Sequence, residues 1–199
     1  VAYYFLARKE ARNLVIVGTG QLSLAVAAAH CAVRSYTSVL IWGRSSDKAS
    51  AVAEALRTQG LPAQAVDDLE VACRAADVIS TATASTRPII YGEWLKPGSH
   101  LDLIGAFKGD MRESDDQAIM QGEVFVDLRA GASLAGDLAQ PLEAGRISPD
   151  HIRADLAELC QGAHPGRSDE NARTAFKSAG MALQDLAAAN MARDHTISG

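Results

Sequence analysis

Short apolar runs alternate with segments whose apolar residues recur at helical spacing along most of the chain. The runs are rich in Val, Ile and Leu, which is typical of strands buried on both faces of a parallel sheet. The predicted strands cover residues 14–18, 38–43, 63–66, 77–82, 100–105 and 123–128, and the predicted helices cover 21–34, 46–59, 67–75 and 169–192. Strands alternating with helices predict an α/β fold with a doubly wound parallel sheet.

The composition restricts the class of partner. Of 199 residues, 48% are hydrophobic, which suffices for a globular core, and no apolar run is long enough to span a membrane. The net charge of -5 and the scattered Lys and Arg residues argue against nucleic acid or a membrane surface. Cys31, Cys73 and Cys160 stand far apart, as expected for reduced thiols in a cytoplasmic protein, and no metal site is expected.

A glycine-rich turn follows the first predicted strand, with the sequence Gly18-Thr19-Gly20-Gln21-Leu22-Ser23. A strand before it and a helix after it are the setting that the dinucleotide fingerprint requires. Gly18 permits a tight turn, Gly20 lets the backbone approach a pyrophosphate, and the small Ser23 lets helix and strand pack closely. The pattern alone also fits an ordinary strand-to-helix turn, but its place after the first strand favours a Rossmann-like cofactor domain.

The end of the second predicted strand indicates which dinucleotide binds. A carboxylate there binds the adenosine ribose of NAD, whereas an arginine accommodates the 2′-phosphate of NADP. The strand ends in Trp42-Gly43-Arg44-Ser45-Ser46, with no carboxylate at its tip. Arg44 can pair with a 2′-phosphate, so we favour NADP(H), with NAD(H) as the alternative. Arg44 could instead be a solvated surface residue, and Asp47 could serve a ribose, although Asp47 fits the first turn of the next helix better.

The ends of the fourth and fifth predicted strands should flank the nicotinamide, because ligands bind beyond the carboxyl ends of parallel strands. Small residues there let the ring approach the backbone, and threonine hydroxyls can bond a ribose or a carboxamide. The cofactor-binding residues predicted from the pattern are Gly18, Thr19, Gly20, Gln21, Leu22, Gly43, Arg44, Ser45, Ser46, Thr81, Ala82, Thr83, Ile104, Gly105 and Ala106.

Several motifs occur in order along the chain: the turn at 18–21, Trp-Gly-Arg-Ser at 42–45, Thr-Ala-Thr-Ala-Ser at 81–85, Gly-Glu-Trp-Leu-Lys-Pro-Gly at 92–98, Ile-Gly-Ala-Phe at 104–107, Asp-Met-Arg-Glu at 110–113 and Phe-Lys-Ser-Ala-Gly-Met at 176–181. Together they resemble the ornithine cyclodeaminase/mu-crystallin family. The match runs through nearly the whole chain. The Phe-Lys-Ser-x-Gly and Lys-Pro-Gly stretches are distinctive by themselves.

The resemblance implies an NAD(P)-dependent oxidoreductase with a substrate and dimerisation domain upstream of Val1. We therefore expect a Rossmann-like domain over residues 1–168 and a C-terminal helix and tail over 169–199 that packs on the upstream domain. The resemblance adds Ser178 and Ala179 to the cofactor pocket. It implies a small imino or amino acid as substrate and a homodimer formed through the upstream domain.

One position separates the branches of this family. Cyclodeaminases carry a catalytic aspartate after the Gly-Gly or Gly-Ala pair that follows the fifth strand, whereas Phe107 stands there in this chain. At three places the chain is similar to ketimine and pyrroline-carboxylate reductases and to mu-crystallin: Phe107, Arg44 and the stretch at 111–113. The expected reaction is reduction of a cyclic or N-alkyl α-imino acid. An NAD-dependent ornithine cyclodeaminase and a non-catalytic NADPH-binding protein stay open as alternatives.

The sequence identifies no catalytic acid. Asp127 fits a helix cap or loop anchor better than an acid, and His100 fits a packed histidine better than a catalyst. Asp110 and Glu113 are spaced as a capping box at a helix start, with a catalytic Glu113 as the alternative.

Each of three further charged residues allows two interpretations, one functional and one structural. Lys108 and Arg112 could hold a substrate carboxylate, although scattered cations usually only face solvent. Asp185 could face the cofactor cleft or bond a neighbouring backbone group.

Overall fold

The computed structural model describes the backbone of residues 2–197 and the side chains of residues 2–193, so Val1 and the end of the expected tail, Ser198 and Gly199, lie outside it. The strands are β1 (Asn13–Val17), β2 (Ser38–Trp42), β3 (Ala63–Ala65), β4 (Val78–Thr81), β5 (His100–Leu103), β6 (Glu123–Val126), β7 (Ile152–Asp155) and β8 (Thr174–Lys177). The helices are α1 (Ala2–Leu6), α2 (Gln21–Val33), α3 (Ser46–Arg57), α4 (Leu69–Ala75), α5 (Asp116–Met120), α6 (Arg129–Ala132), α7 (Gly136–Glu143), α8 (Leu156–Cys160) and α9 (Ala182–Ile197).

The strands form a parallel sheet in the order β3-β2-β1-β4-β5-β8-β6-β7. On one side of β1 lie β2 and then β3. On the other side lies β4, followed by the remaining strands. The topological switch point therefore lies between β1 and β4. The predicted α/β, doubly wound and Rossmann-like architecture is confirmed.

Alternate residues of β1 belong to two different hydrophobic clusters. Leu14 and Ile16 pack with apolar residues of α2 and α3, whereas Val15 and Val17 pack with residues of α4 and α5. Helices thus cover both faces of the sheet, which explains why β1 is an unbroken apolar run in the sequence.

The prediction of one long helix over 169–192 is wrong in its first part. Residues 174–177 form β8, which inserts between β5 and β6, and α9 begins only at Ala182. All four residues of β8 are buried, including Lys177, so tertiary partners rather than local periodicity select the strand. The domain boundary at residue 168 stays a prediction, although the sheet extends past it to Lys177.

Other differences from the predicted elements are smaller. The short helix α1, which ends at Leu6, and the edge strand β7 are not among the predicted elements. The three thiols are free, with Cys73 buried, Cys31 half-buried and Cys160 exposed. Among the described helices, none is both long and apolar enough to cross a membrane.

His100 is a packed histidine, as the sequence predicts. It is 1% exposed, and its Nδ1 lies 2.8 Å from Thr174 Oγ1, whose own hydroxyl donates to the Leu6 carbonyl. Nδ1 therefore carries the proton and donates to Thr174, while the buried Nε2 has no hydrogen-bond partner. Burial lowers the pKa of His100 to about 3.

We expect His100 to make stability fall in acid. The unfolded chain takes up a proton on this residue near its ordinary pKa of 6.5, whereas the folded chain resists protonation down to about 3. Its contribution to stability is complete above the unfolded pKa and is lost as the pH falls between the two values, by up to ~1.4 kcal/mol per pH unit. His100→Asn keeps a donor in place of Nδ1 without titrating, so its unfolding free energy in urea should fall less steeply over this range. Equal slopes for the variant and the wild type would contradict the expectation.

Candidate functional site

The register of the sheet brings three strand ends to one level. Val17 pairs with Trp42 on one side and with Thr81 on the other. The residues that follow β1, β2 and β4 therefore meet at the switch point, and backbone hydrogen bonds from Gly18 N to Trp42 O and from Ala82 N to Val17 O fix them there. This is the edge at which parallel α/β sheets bind ligands.

A cleft of about 460 Å³ opens at this junction. Its lining consists of Gly18, Thr19, Gly20, Trp42, Gly43, Arg44, Ser45, Lys48, Ala82, Thr83, Ala84, Ser85 and Ile89. The predicted residues that follow β1, β2 and β4 thus meet at one cleft. The other predicted residues, which do not line it, are Gln21, Leu22, Ser46, Thr81, Ile104, Gly105, Ala106, Ser178 and Ala179. That any of these residues binds a cofactor stays a prediction.

A side chain at each glycine around the cleft would meet different surroundings. Gly18 has φ +129°, and a Cβ there would lie 2.8 Å from Ala82 O. A Cβ at Gly43 would lie 2.5 Å from Thr19 Cγ2. The backbone therefore requires Gly18, and a Cβ at Gly43 would force the Thr19 side chain to move, whereas a Cβ at Gly20 would meet no protein atom within 4 Å. The open space at Gly20 is what the close approach of a pyrophosphate to the backbone requires.

The N-terminus of α2 faces this junction without a side-chain cap. Its N-cap residue is Gly20, which offers no side-chain acceptor, whereas α3 is capped by Ser45 and α4 by Asp68. Uncapped N–H groups at the positive end of a 13-residue helix suit an anion. Ser23 is fully buried one turn into α2, so the expected close packing of helix and strand is confirmed.

Two cationic side chains line the cleft after β2. Arg44 and Lys48 both line the cleft, both are exposed, and within the described part of the chain neither forms an ion pair. Lys48 was not predicted as a site residue, although its place four residues after Arg44 was visible in the sequence. Ser45 caps α3 by accepting a hydrogen bond from Lys48 N, and Asp47 lies in the first turn of α3, as expected.

Glu113 is not part of a capping box, so that prediction is wrong. Residues 110–113 form no helix, and α5 begins later with Asp115 as its N-cap. Glu113 is fully buried, and its carboxylate accepts five hydrogen bonds from the end of β4 and from the loops that follow β4 and β5. The donors are Thr83 N at 2.6 Å and Thr83 Oγ1 at 2.8 Å to Oε1, and Thr81 Oγ1 at 2.8 Å, Gly105 N at 2.7 Å and Ala106 N at 3.3 Å to Oε2.

These bonds change what was expected of the two threonines. The hydroxyl protons of Thr81 and Thr83 are donated to Glu113, so neither hydroxyl is a free donor for a ribose or carboxamide. Thr81 and Ala106 are also fully buried, which removes them from direct contact with a ligand in this conformation. Thr83 lines the cleft and keeps acceptor capacity.

A buried ion pair lies behind Glu113. Asp137 Oδ1 accepts from Glu113 N at 2.9 Å and from Ser114 N at 2.9 Å, while Oδ2 lies 3.3 Å from Lys177 Nζ. Lys177 also donates to Leu103 O at 3.2 Å. Asp137 is 0% exposed and Lys177 1%, so the charges neutralise each other away from water. Strand β8 thus supports the loop that carries Glu113.

Asp127 is the expected loop anchor. Its Oδ2 accepts from Ser178 Oγ at 3.1 Å, from Ala179 N at 2.8 Å and from Gly180 N at 2.7 Å. Ser178 and Ala179 are therefore held by a carboxylate after β6. Their predicted contact with a cofactor stays a prediction.

The remaining candidates face solvent or bond locally. Lys108 and Asp185 are exposed. Arg112 donates to the Ser114 carbonyl and pairs with Asp116, so it is engaged in the loop instead of being free for a carboxylate. Phe107 is 56% exposed in the loop after β5.

The parallel strand order, the switch point and the glycine turn define a Rossmann-like α/β domain. The chain belongs to the ornithine cyclodeaminase/mu-crystallin family, whose model matches residues 1–199. It is 38% identical over 189 residues to a Delta(1)-pyrroline-2-carboxylate reductase of Paracoccus denitrificans, covering 91% of this chain and 58% of that protein. It is 36% identical over 166 residues to the ketimine reductase mu-crystallin of Mus musculus, covering 83% and 49%.

A solved structure has the same fold. Delta(1)-pyrroline-2-carboxylate reductase of Thermococcus litoralis, in complex with NADH and L-proline, superposes with a TM-score of 0.96 at 29% identity and covers 99% of this chain. This chain covers 62% of that one. The chain thus spans less than two thirds of the length of each of these relatives.

The ion pair behind Glu113 gives a stability prediction. Lys177→Met leaves Asp137 buried without its cation, so the free energy of unfolding should fall by about 3–5 kcal/mol. Urea denaturation followed by circular dichroism measures this loss. Lys108→Met, at an exposed lysine, is the matched control and should change stability by less than about 0.5 kcal/mol. A similarly small loss for Lys177→Met would show that Asp137 does not depend on it.

Proposed function

We propose that the chain is the dinucleotide-binding part of an NAD(P)H-dependent reductase that acts on a cyclic or N-alkyl α-imino acid. The observation that carries the proposal is the cleft at the switch point, where the open backbone at Gly20 adjoins the uncapped N-terminus of α2. Gly20 and the first turn of α2 would hold the pyrophosphate, with Gly18 forming the turn.

The preferred cofactor in this proposal is NADP(H). Arg44, which follows β2, and Lys48, in the first turn of α3, line the cleft and form no ion pair within the described part of the chain. No carboxylate is among the residues that line the cleft, so none would repel a 2′-phosphate there. Ser45 and Ser46 would add hydroxyl donors. NAD(H) stays the alternative, and the Thermococcus litoralis relative is a complex with NADH.

The nicotinamide would extend towards the ends of β4 and β5, beside Ala82, Thr83, Ile104 and Gly105. When bound, it supplies the hydride for reduction of the imine carbon. The chain itself binds and orients the ring, since the small residues at these positions let it approach the backbone.

Reduction of an imino acid is favoured by the relatives and by Phe107. The similar proteins of Paracoccus denitrificans and Mus musculus are named as reductases. The aspartate on which a cyclodeaminase would depend is replaced by Phe107, whose ring can neither donate nor accept a proton. Oxidation of NADPH with 1-pyrroline-2-carboxylate supports a reductase, whereas ammonia release from L-ornithine would support a cyclodeaminase.

We further propose that the whole protein is a homodimer formed through sequence upstream of Val1. Helix α9 exposes Leu183, Leu186 and Met191, which an additional domain would cover. Tight NADPH binding without turnover of any imino acid would instead favour a binding protein similar to mu-crystallin.

Gly20→Ala tests the pyrophosphate site. The new methyl group meets no protein atom, so the free energy of unfolding should change by less than about 1 kcal/mol. It enters the space proposed for the pyrophosphate, so the affinity for NADPH should fall by at least about tenfold in calorimetric titration. The control is Ala25→Gly on the exposed face of α2, which costs ~1 kcal/mol of helix stability and should leave the affinity unchanged. Undiminished binding by Gly20→Ala would refute the site.

Arg44→Ala and Lys48→Ala test the choice of cofactor. Each should weaken NADPH by roughly 10- to 100-fold, the worth of one charge-assisted hydrogen bond, and should change NADH by less than about threefold. Arg153→Ala, at an exposed arginine on the far edge strand β7, serves as the charge-matched control. Equal losses for NADPH and NADH would show that these cations do not contact the 2′-phosphate.

A further inference from the structure

Glu113 is held rigidly by its own backbone. Its N–H donates to Asp137 at 2.9 Å, and its carbonyl accepts from Ile89 N and Ile90 N, both at 2.9 Å. The residue is thus bonded on both sides before its side chain makes any contact. The location of the carboxylate is therefore set by the framework rather than by a mobile loop.

The carboxylate of Glu113 connects the end of β4 and its following loop with the loop after β5. Oε1 accepts two bonds from Thr83, and Oε2 accepts bonds from Thr81, Gly105 and Ala106. Within the described side chains no cation pairs with Glu113, so these neutral donors alone stabilise a fully buried charge. Removing a charge from water is costly unless donors pair with its lone pairs. The buried carboxylate therefore holds these donors in place around it.

The two segments approach each other closely as a result. A Cβ at Gly105 would overlap the backbone of Thr83 and Glu113 Oε1. Ala82 and Thr83 line the cleft, and Gly105 lies beside Thr83 on the side away from the glycine turn. Glu113 is therefore located behind one end of the cleft, opposite the end that carries Arg44 and Lys48.

We propose that Glu113 is a positioning residue for the nicotinamide half of the bound dinucleotide, which it serves by fixing the ends of β4 and β5 that would border the ring. This inference rests on the proposed function. It assigns Glu113 neither a proton transfer nor a direct ligand contact. Its consequence is that loss of the carboxylate should affect the two halves of the dinucleotide unequally.

Glu113→Gln in the full chain tests this inference. The amide keeps the shape but offers only one accepting oxygen, so donors of one segment face an NH₂ group and must move away. Calorimetric titration uses the reduced dinucleotide and the same molecule without nicotinamide: NADH with ADP-ribose, and NADPH with 2′-phospho-ADP-ribose. The variant should bind the complete dinucleotide at least about tenfold more weakly and the truncated molecule within about threefold of the wild type.

The control is Asp77→Asn at the opposite end of β4, where the carboxylate also pairs with Arg8 and Lys96. Asp77 is also buried and accepts from the backbone of Arg12 at 2.8 Å and of Asn13 at 3.0 Å. Its loss should lower thermal stability without changing the ratio of the two affinities. A changed ratio in Asp77→Asn, or an equal loss of both ligands in Glu113→Gln, would overturn the inference and leave the proposed function intact. Failure of the wild type to bind either ligand would overturn both.

Thr81→Val provides a second variant should Glu113→Gln not fold. Thr81 is fully buried and does not line the cleft, so the substitution removes one donor to Glu113 without touching a ligand. We expect the same unequal effect at smaller size, about fivefold for the complete dinucleotide and less than about twofold for the truncated molecule. Unchanged affinity for both ligands in a folded Thr81→Val protein would contradict the inference.

Discussion

A carboxylate buried away from water needs a donor at each lone pair, and Glu113 obtains five from the end of β4 and the loops after β4 and β5. Beyond the ends of the parallel strands the backbone has no ladder partners, so other groups must hold the loops in place. The bonds to Glu113 remove that freedom on one side of the switch point. The shape of the cleft at its β4 side follows from this constraint.

The loop that carries Glu113 is also bonded, through Asp137, to the inner strand β8. Asp137 bonds the backbone of Glu113 and Ser114 and is neutralised by Lys177 of β8. The inner strand β8 and the loop that carries Glu113 are thus coupled through one ion pair. On the other side of the switch point the geometry depends on glycines, because Gly18 and Gly43 allow the turns after β1 and β2 to touch their neighbours.

The sequence predicted what is local and missed what depends on distant partners. The Val/Ile/Leu strands and the glycine turn carry their own patterns. Strand β8 does not, because its buried Lys177 depends on two distant partners, the carboxylate of Asp137, forty residues earlier, and the carbonyl of Leu103. Glu113 follows Asp110 at capping-box spacing, and its true donors Thr81 and Thr83 lie 32 and 30 residues away. Lys48 lies in the first turn of α3, four residues after Arg44, so its position is visible in the sequence.

The cleft at the junction of β1, β2 and β4 is proposed to bind a dinucleotide. The decisive measurement is a crystal structure of the full chain grown with saturating NADPH. We predict that the pyrophosphate contacts the N–H groups at Gly20 and the first turn of α2, that the 2′-phosphate lies between Arg44 and Lys48, and that the nicotinamide lies beside Thr83 and Gly105. A cleft without nucleotide density, or a nucleotide bound elsewhere, would contradict the claim.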